Sequence, residues 1–156
     1  MIKIDIPGQT KIEAEHLVLD FNGTLAIDGR LIEGTGQLLE LLSRKLIIHV
    51  LTADTFGTSK FELKPIKCKH VILNPSQQDE QKEQYVFNLG REKVIAIGNG
   101  RNDRLMIKHA ALGIAVIQKE GIFGELMCVA DIVSLSIHDT LDLLLNPLRI
   151  IATLRN

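Results

Sequence analysis

The chain has 156 residues, enough for one domain with a sizeable core and too few for two. Apolar residues make up 46 % and the formal net charge is −1, so no basic field attracts nucleic acid, and the scarcity of aromatics, with no Trp and one Tyr, argues against base-stacking platforms. The two cysteines, Cys68 and Cys128, form no metal pattern or disulfide framework and fit a reducing cytoplasm; no apolar run approaches the roughly 18 residues of a membrane span, and the alternating N-terminus is not a signal peptide.

Ile2, Ile4 and Ile6 alternate with Lys3 and Asp5 before Pro7-Gly8 turns the chain, and 11–15 alternates again. This predicts a short N-terminal β-hairpin. Leu17, Val18 and Leu19 run without a break into Asp20, which predicts a buried strand over His16–Asp20. Asp28-Gly29 marks a turn, and Glu33-Gly34 opens a helix whose Leu38, Leu39, Leu41, Leu42 and Leu46 read as one buried face. A second strand over 47–51 ends at Thr52, followed by a short helix over 55–63 that stops before Pro65. Strands over 70–73 and 94–97 flank a strongly polar helix over 77–89, closed by Gly90. A helix over 101–111, a strand over 112–117, a helix over 121–130 and a strand over 131–135 follow. Apolar helices over 140–145 and Pro147–Leu154 close the chain, and they offer a surface to a partner or a second copy in a homo-oligomer. Strands alternating with helices predict an α/β fold: a three-layer, Rossmann-like, doubly wound parallel sheet.

Three strand ends and one helix start carry the polar residues. Asp20 lies at the carboxyl end of its strand, the edge where open α/β sheets bind ligands. Phe21-Asn22-Gly23-Thr24 then makes a tight loop in which Gly23 admits close approach and Thr24 offers a hydroxyl. The same residues also suit a simple Asx-turn. Thr52 ends the second strand beside Ala53-Asp54, where a helix N-cap is the plainer reading. Lys82 starts the polar helix. It could neutralise a phosphate and a nucleophile together, or pair in solvent with its acidic neighbours; Lys60, Lys64, Lys67 and Lys69 are weaker rivals. Gly98-Asn99-Gly100-Arg101-Asn102-Asp103 follows a strand and opens a helix, which suits an anion or an ordinary capped turn. His16, His49, His70, His109 and His138 show no metal-ligand spacing and read as surface or strand-end residues, and Cys128 reads as buried and inert.

The segment Asp20-Phe21-Asn22-Gly23-Thr24-Leu25 resembles the first motif of the haloacid dehalogenase (HAD) phosphatases, D-x-D-G-T-L/V, and the D-K-T-G-T of P-type ATPase phosphorylation domains. Thr52, Lys82 and 98–103 resemble the later motifs in the required order, and soluble P-type ATPase-like phosphatases are the nearest group. Neither interval where the family carries a cap domain has room for one, so the resemblance implies a single capless HAD-like core over 1–156. It implies a magnesium-dependent phosphohydrolase in which Asp20 attacks phosphorus and forms an aspartyl-phosphate. Asp20, Asn22 and Lys82 become the candidate catalytic residues. Gly23, Thr52, Ala53, Lys82 and Asn102 are the candidate phosphate ligands. Asp20, Asn22, Asn99 and Asp103 are the candidate magnesium ligands. The implied substrate is a phosphorylated small molecule or phosphoprotein.

Two departures stand at the centre of that motif set. The usual acid/base Asp is Asn22, which transfers no proton at neutral pH, and the usual metal-binding Asp is Asn99, a weaker ligand for a hard cation. P-type pumps also lack the acid/base Asp and hold a long-lived phosphoenzyme, so the resemblance implies slow turnover. The alternative is a phosphate-binding or phosphoacceptor regulatory module. The two amides favour that module, whereas Asp20, Thr52, Lys82 and Asp103 favour turnover.

Overall fold

The structure, a computed structural model, describes residues 1–9 and 11–156. β1 (Ile2–Ile4) and β2 (Ile12–Ala14) form the expected N-terminal hairpin. β3 (His16–Asp20) leads into a second, tiny hairpin of β4 (Ala26–Ile27) and β5 (Arg30–Leu31). Its Asp28-Gly29 tip has φ of 51° and 73°, the left-handed pair that a tight hairpin turn selects for Asp-Gly. The rest alternates: α1 (Thr35–Ser43), β6 (Ile47–Thr52), α2 (Ser59–Glu62), β7 (Lys69–Ile72), α3 (Gln78–Asn88), β8 (Val94–Gly98), α4 (Arg104–His109), β9 (Leu112–Val116), α5 (Leu126–Val129), β10 (Ile132–Ser134), α6 (Ile137–Leu145) and α7 (Pro147–Leu154).

Six strands make one parallel sheet in the order β10-β9-β8-β3-β6-β7. Successive side chains of a strand point to opposite faces. Leu17, Leu19, Ile95 and Ile97 therefore pack with Leu39 and Leu42 of α1 and Ile137, Leu141 and Leu144 of α6 on one face. Val18, Val94 and Ala96 pack with Val86 of α3 and Met106 and Ile107 of α4 on the other. Burial on both faces explains why these strands read as unbroken apolar runs. The stretches 21–34 and 53–68 hold the β4–β5 hairpin and α2.

Several expectations need correction. The helix expected over 55–63 shrinks to the four residues of α2, because Asp54 and Gly57 take φ of 53° and 66° and break any helix before Ser59. The helix expected over 121–130 shrinks to α5, since Gly121 (φ 79°) bridges back to Gln118. α6 starts three residues early because the Ser136 side chain accepts the Asp139 amide as an N-cap. Leu41 and Cys128 are exposed.

His49 is fully buried in mid-strand, hydrogen-bonded through Nε2 to His16 Nδ1 (3.1 Å) and through Nδ1 to the Tyr85 hydroxyl (2.9 Å). Burial, then the neighbouring His16 and Lys69, lower its pKa to about 4. The unfolded chain takes up a proton near pH 6.5 that the folded ring refuses. The contribution of His49 to stability is therefore complete above pH 6.5 and falls as the pH drops towards 4, by up to about 3 kcal/mol. Urea denaturation at pH 7.5 and pH 4.5 checks this: His49→Gln should flatten the acid loss, and an unchanged loss in that variant rules out His49 as its source.

Candidate active site

β3 is the switch point of the sheet. The chain leaves it for β6 and β7 on one side and returns to β8 and β9 on the other, which opens a crevice at the carboxyl ends. Register aligns Asp20 with Leu51 and Leu19 with Ile97, so Asp20, Thr52 and Asn99 emerge side by side at that crevice.

Lys82 enters from the helix side. Lys82, Tyr85, Val86 and Leu89 form one stripe of α3 and its C-terminal end, whose i, i+3, i+4, i+7 spacing faces the sheet, while Phe87 lies off it and is exposed. The Lys82 side chain is 0 % exposed, and its Nζ donates to Asp20 Oδ1 at 2.6 Å and to Asp103 Oδ1 at 2.6 Å. Burial is the strongest influence on Asp20 and, with the Asp103 charge, pushes its carboxyl up to about 7 against the pull of Lys82. Burial also works against the ammonium, but the two carboxylates outweigh it and hold its pKa above the usual lysine range. A fixed cation thus lies between two buried acids before any substrate arrives.

Asp103 spends its second oxygen, Oδ2, on the backbone amides of Asn99 (3.0 Å) and Gly100 (2.8 Å). That packing explains Gly98, where a Cβ would stand 2.4 Å from the Asp103 carboxyl. Asp103 therefore ties Lys82 to the 98–103 turn.

The Asp20 loop folds on itself. The Phe21 carbonyl accepts the amides of Leu25 and Ala26, and Gly23 N–H donates to Ala26 O at 2.7 Å. Gly23 has φ 78°, and a Cβ there would lie 2.3 Å from the Asn99 amide, so only glycine lets the two loops meet. Asn99 Oδ1 accepts from the Thr24 hydroxyl at 3.2 Å, while its Nδ2 donates to Gly121 O at 3.2 Å. Because a carbonyl can only accept, Gly121 O fixes which end of that side chain is nitrogen. Asn22 Oδ1 is buried and has no partner among the described residues. An acceptor left so is costly unless a donor or cation completes it.

Thr52 is buried and its Oγ1 accepts the Asp54 amide at 2.8 Å, with Ala53 half-buried between them. Asn102 Nδ2 donates to Gln78 Oε1 at 2.7 Å on the α3 side of the crevice. None of the rival lysines bonds to Asp20; Lys64 and Lys67 line a separate cleft of about 1150 Å³ between α1 and the segment 61–67, which contains no residue of this site.

The oxygen atoms of Asp20, Asn22 and Asn99 are hard donors of the kind a divalent cation such as magnesium takes. The set is poor in charge, and among the described residues no cluster of three or more His, Cys, Asp or Glu is placed to hold a metal. It fits a cation that keeps waters and substrate oxygens in its shell.

The model of the haloacid dehalogenase-like hydrolases matches residues 81–123, which run from beside Lys82 through the 98–103 turn. The uncharacterized protein MJ0073 of Methanocaldococcus jannaschii is 52 % identical over 65 residues, 42 % of this chain and 70 % of that one. This chain belongs to the haloacid dehalogenase-like hydrolases. Solved structures agree on the fold. The 3-deoxy-D-manno-octulosonate 8-phosphate phosphatase of Moraxella catarrhalis, in complex with magnesium, phosphate and KDO, superposes with a TM-score of 0.72 at 18 % identity, covering 90 % of this chain and 92 % of that one. The cobalt-bound deoxy-D-mannose-octulosonate 8-phosphate phosphatase of Haemophilus influenzae gives 0.72 at 14 % identity, covering 86 % of this chain and 89 % of that one.

The sequence reading passed over Gln118 and took Gly121 for a helix start, whereas both bond to the candidate site. Gln118 lies just beyond a strand's carboxyl end, as Asn99 does, and that placement was the available signal. Gly121 acts through its backbone and leaves none.

Proposed function

We propose that this HAD hydrolase is a slow, magnesium-dependent phosphohydrolase that carries the phosphoryl group on Asp20. The observation that supports it is the buried Asp20–Lys82–Asp103 array at the switch point, with Lys82 2.6 Å from both acids. In this reading an Asp20 oxygen attacks phosphorus, the bond from phosphorus to the leaving oxygen breaks, and water later splits the acyl phosphate to free Asp20 and inorganic phosphate. Lys82 offsets the charge of nucleophile and phosphoryl group, and Thr52, the Ala53 amide and Asn102 hold the transferring oxygens. Asp103 holds Lys82 and the 98–103 turn in register. Magnesium, held by Asp20, Asn22 and Asn99, would supply further neutralisation of phosphate charge. Asn22 moves no proton, so release of the leaving group and hydrolysis both run without the usual acid and base. This is the basis of the slow turnover and of the likeness to P-type pump phosphorylation domains. It also favours a second reading, a phosphoacceptor module that holds its phosphoryl group and acts on a partner.

The substrate class is a phosphorylated small molecule. The short β4–β5 hairpin and α2 beside the crevice suit a compact ester or a phosphorylated side chain on a protein surface. No helix is long and apolar enough to cross a membrane among the described residues.

One experiment tests both readings. The protein is treated with acetyl phosphate and magnesium, the adduct is mapped by peptide mass spectrometry, and phosphate release is followed on a panel of sugar phosphates and phosphopeptides. The expected result is an adduct on the Asp20 peptide alone and release that falls below detection in Asp20→Asn. An adduct that forms but does not decay over hours selects the phosphoacceptor module. Modification elsewhere, or undiminished release from Asp20→Asn, overturns the mechanism.

A further inference from the structure

We infer that Gln118 is a positioning residue for Asp20, acting through the carbonyls of the nucleophile loop. Its Nε2 donates to Gly23 O at 3.0 Å and to Thr24 O at 2.6 Å. Its Oε1 accepts the Ile137 amide at 3.0 Å, where α6 begins. One half-buried amide thus fastens the loop that follows Asp20 to the N-terminus of a core helix. The arrangement uses both ends of the amide. Two carbonyls need a donor and a helix-end N–H needs an acceptor, and among neutral side chains of this length only Gln offers both.

The backbone of the same segment governs Asn99. Gln118 O accepts the Gly121 amide at 2.8 Å, and Gly121 O accepts Asn99 Nδ2. Phe123 N–H donates to Asn99 O at 2.8 Å. The loop 118–123 lies beyond the motif stretches 20–25, Thr52, Lys82 and 98–103 and holds two pieces of the site at once: the 22–24 loop through the Gln118 side chain and the Asn99 amide through Gly121. Thr24 Oγ1 donating to Asn99 Oδ1 closes the circuit. Carbonyls held by Gln118 set the peptide planes of Gly23 and Thr24. Those planes fix where Asn22 and Asp20 stand relative to an incoming phosphorus. Misplacing a nucleophile by about 1 Å costs on the order of 100-fold in rate.

This assignment rests on the phosphohydrolase reading. Two variants separate the two halves of the amide. Gln118→Glu keeps an acceptor for Ile137 N–H and, when ionised, loses the donor to Gly23 and Thr24. Gln118→Met keeps the length and loses both. The rate of Asp20 phosphorylation by acetyl phosphate and the steady-state kcat and KM are measured from pH 5 to pH 8, with thermal melts to verify folding. Both variants are expected to phosphorylate about 10-fold or more slowly at pH 8, with kcat reduced and KM within about twofold. As the pH falls the introduced carboxyl protonates and regains a donor, so the rate of Gln118→Glu relative to wild type should climb, while that of Gln118→Met stays flat. A role in folding alone would lower the melting temperatures without that recovery. If the wild type reacts and both folded variants match it at every pH, or if Gln118→Glu shows no recovery, the assignment is wrong and the phosphohydrolase reading stands. If the wild type forms no Asp20 adduct, both fall together.

Discussion

Replacing Lys82 by methionine is expected to cost roughly 3–5 kcal/mol of stability and to slow Asp20 phosphorylation by a factor on the order of 100–1000. Methionine is one atom shorter than lysine, ending where Cε stands, and suits the apolar stripe of α3, so most of the packing survives. What is lost is the charge between Asp20 and Asp103, both buried and both bonded to the same Nζ. Two carboxylates then share a site with no counter-charge, and at least one must take a proton to remain inside. Adding Asp103→Asn removes one of the two and should return a substantial part of the lost stability without returning activity. Such coupling is expected of residues in one charge network. Urea denaturation gives the stabilities and acetyl phosphate labelling the rates. A Lys82→Met protein as stable as the wild type, or a double variant no better than the single one, would show that the array is not the electrostatic unit described.

A gain of roughly 100-fold in turnover is expected of Asn22→Asp, the usual worth of general acid/base catalysis where proton transfer limits the rate. Asn22 Oδ1 is buried and without a partner among the described residues, so a carboxyl of the same shape displaces no hydrogen bond made by that oxygen. The matching exchange at the other amide should not help. Asn99→Asp puts a carboxylate oxygen where Nδ2 now donates to Gly121 O, and oxygen facing oxygen at 3.2 Å repels. The expected outcome is lower stability and no faster turnover, even though a charged ligand is gained. Steady-state kinetics and melts on both variants decide it. Equal gains at 22 and 99 would mean that Gly121 exerts no selection for an amide, and no gain at 22 would place the slow step elsewhere.

The central sheet was legible in the sequence because its strands are buried on both faces and read as unbroken apolar runs, as at Leu17-Val18-Leu19 and Val94–Gly98. Asp20, Thr52 and Asn99 could be found because each ends such a run. Lys82 was placed by motif order, yet its own helix carried a local signal: it occupies the sheet-facing stripe with Tyr85, Val86 and Leu89, a position where a solvated lysine has no place. The overlong helices at 55–63 and 121–130 came from reading apolar content without the left-handed residues Asp54, Gly57 and Gly121 that interrupt it. Leu41, Cys128 and His49 were misplaced because exposure depends on which side a neighbouring element covers, and local periodicity does not carry that. Gln118 acts through contacts with residues 94 and 95 positions away for the loop and 19 for α6, which no window along the chain can see.

The hydrogen bonds of Gly23 and Gly100 have a bearing on how the protein ages. Asn22-Gly23 and Asn99-Gly100 are the sequence type most prone to deamidation, in which the glycine nitrogen attacks the asparagine side chain and closes a succinimide ring. Here Gly23 N–H is committed to Ala26 O at 2.7 Å and Gly100 N–H to Asp103 Oδ2 at 2.8 Å. Either nitrogen would have to abandon its partner and swing its peptide plane before it could reach the side chain, so ring closure requires opening the site itself. The folded state thereby shelters the two amides from the slow chemistry that would turn them into the acids of the family's usual pattern, and a molecule long in service keeps the charge with which it was synthesised.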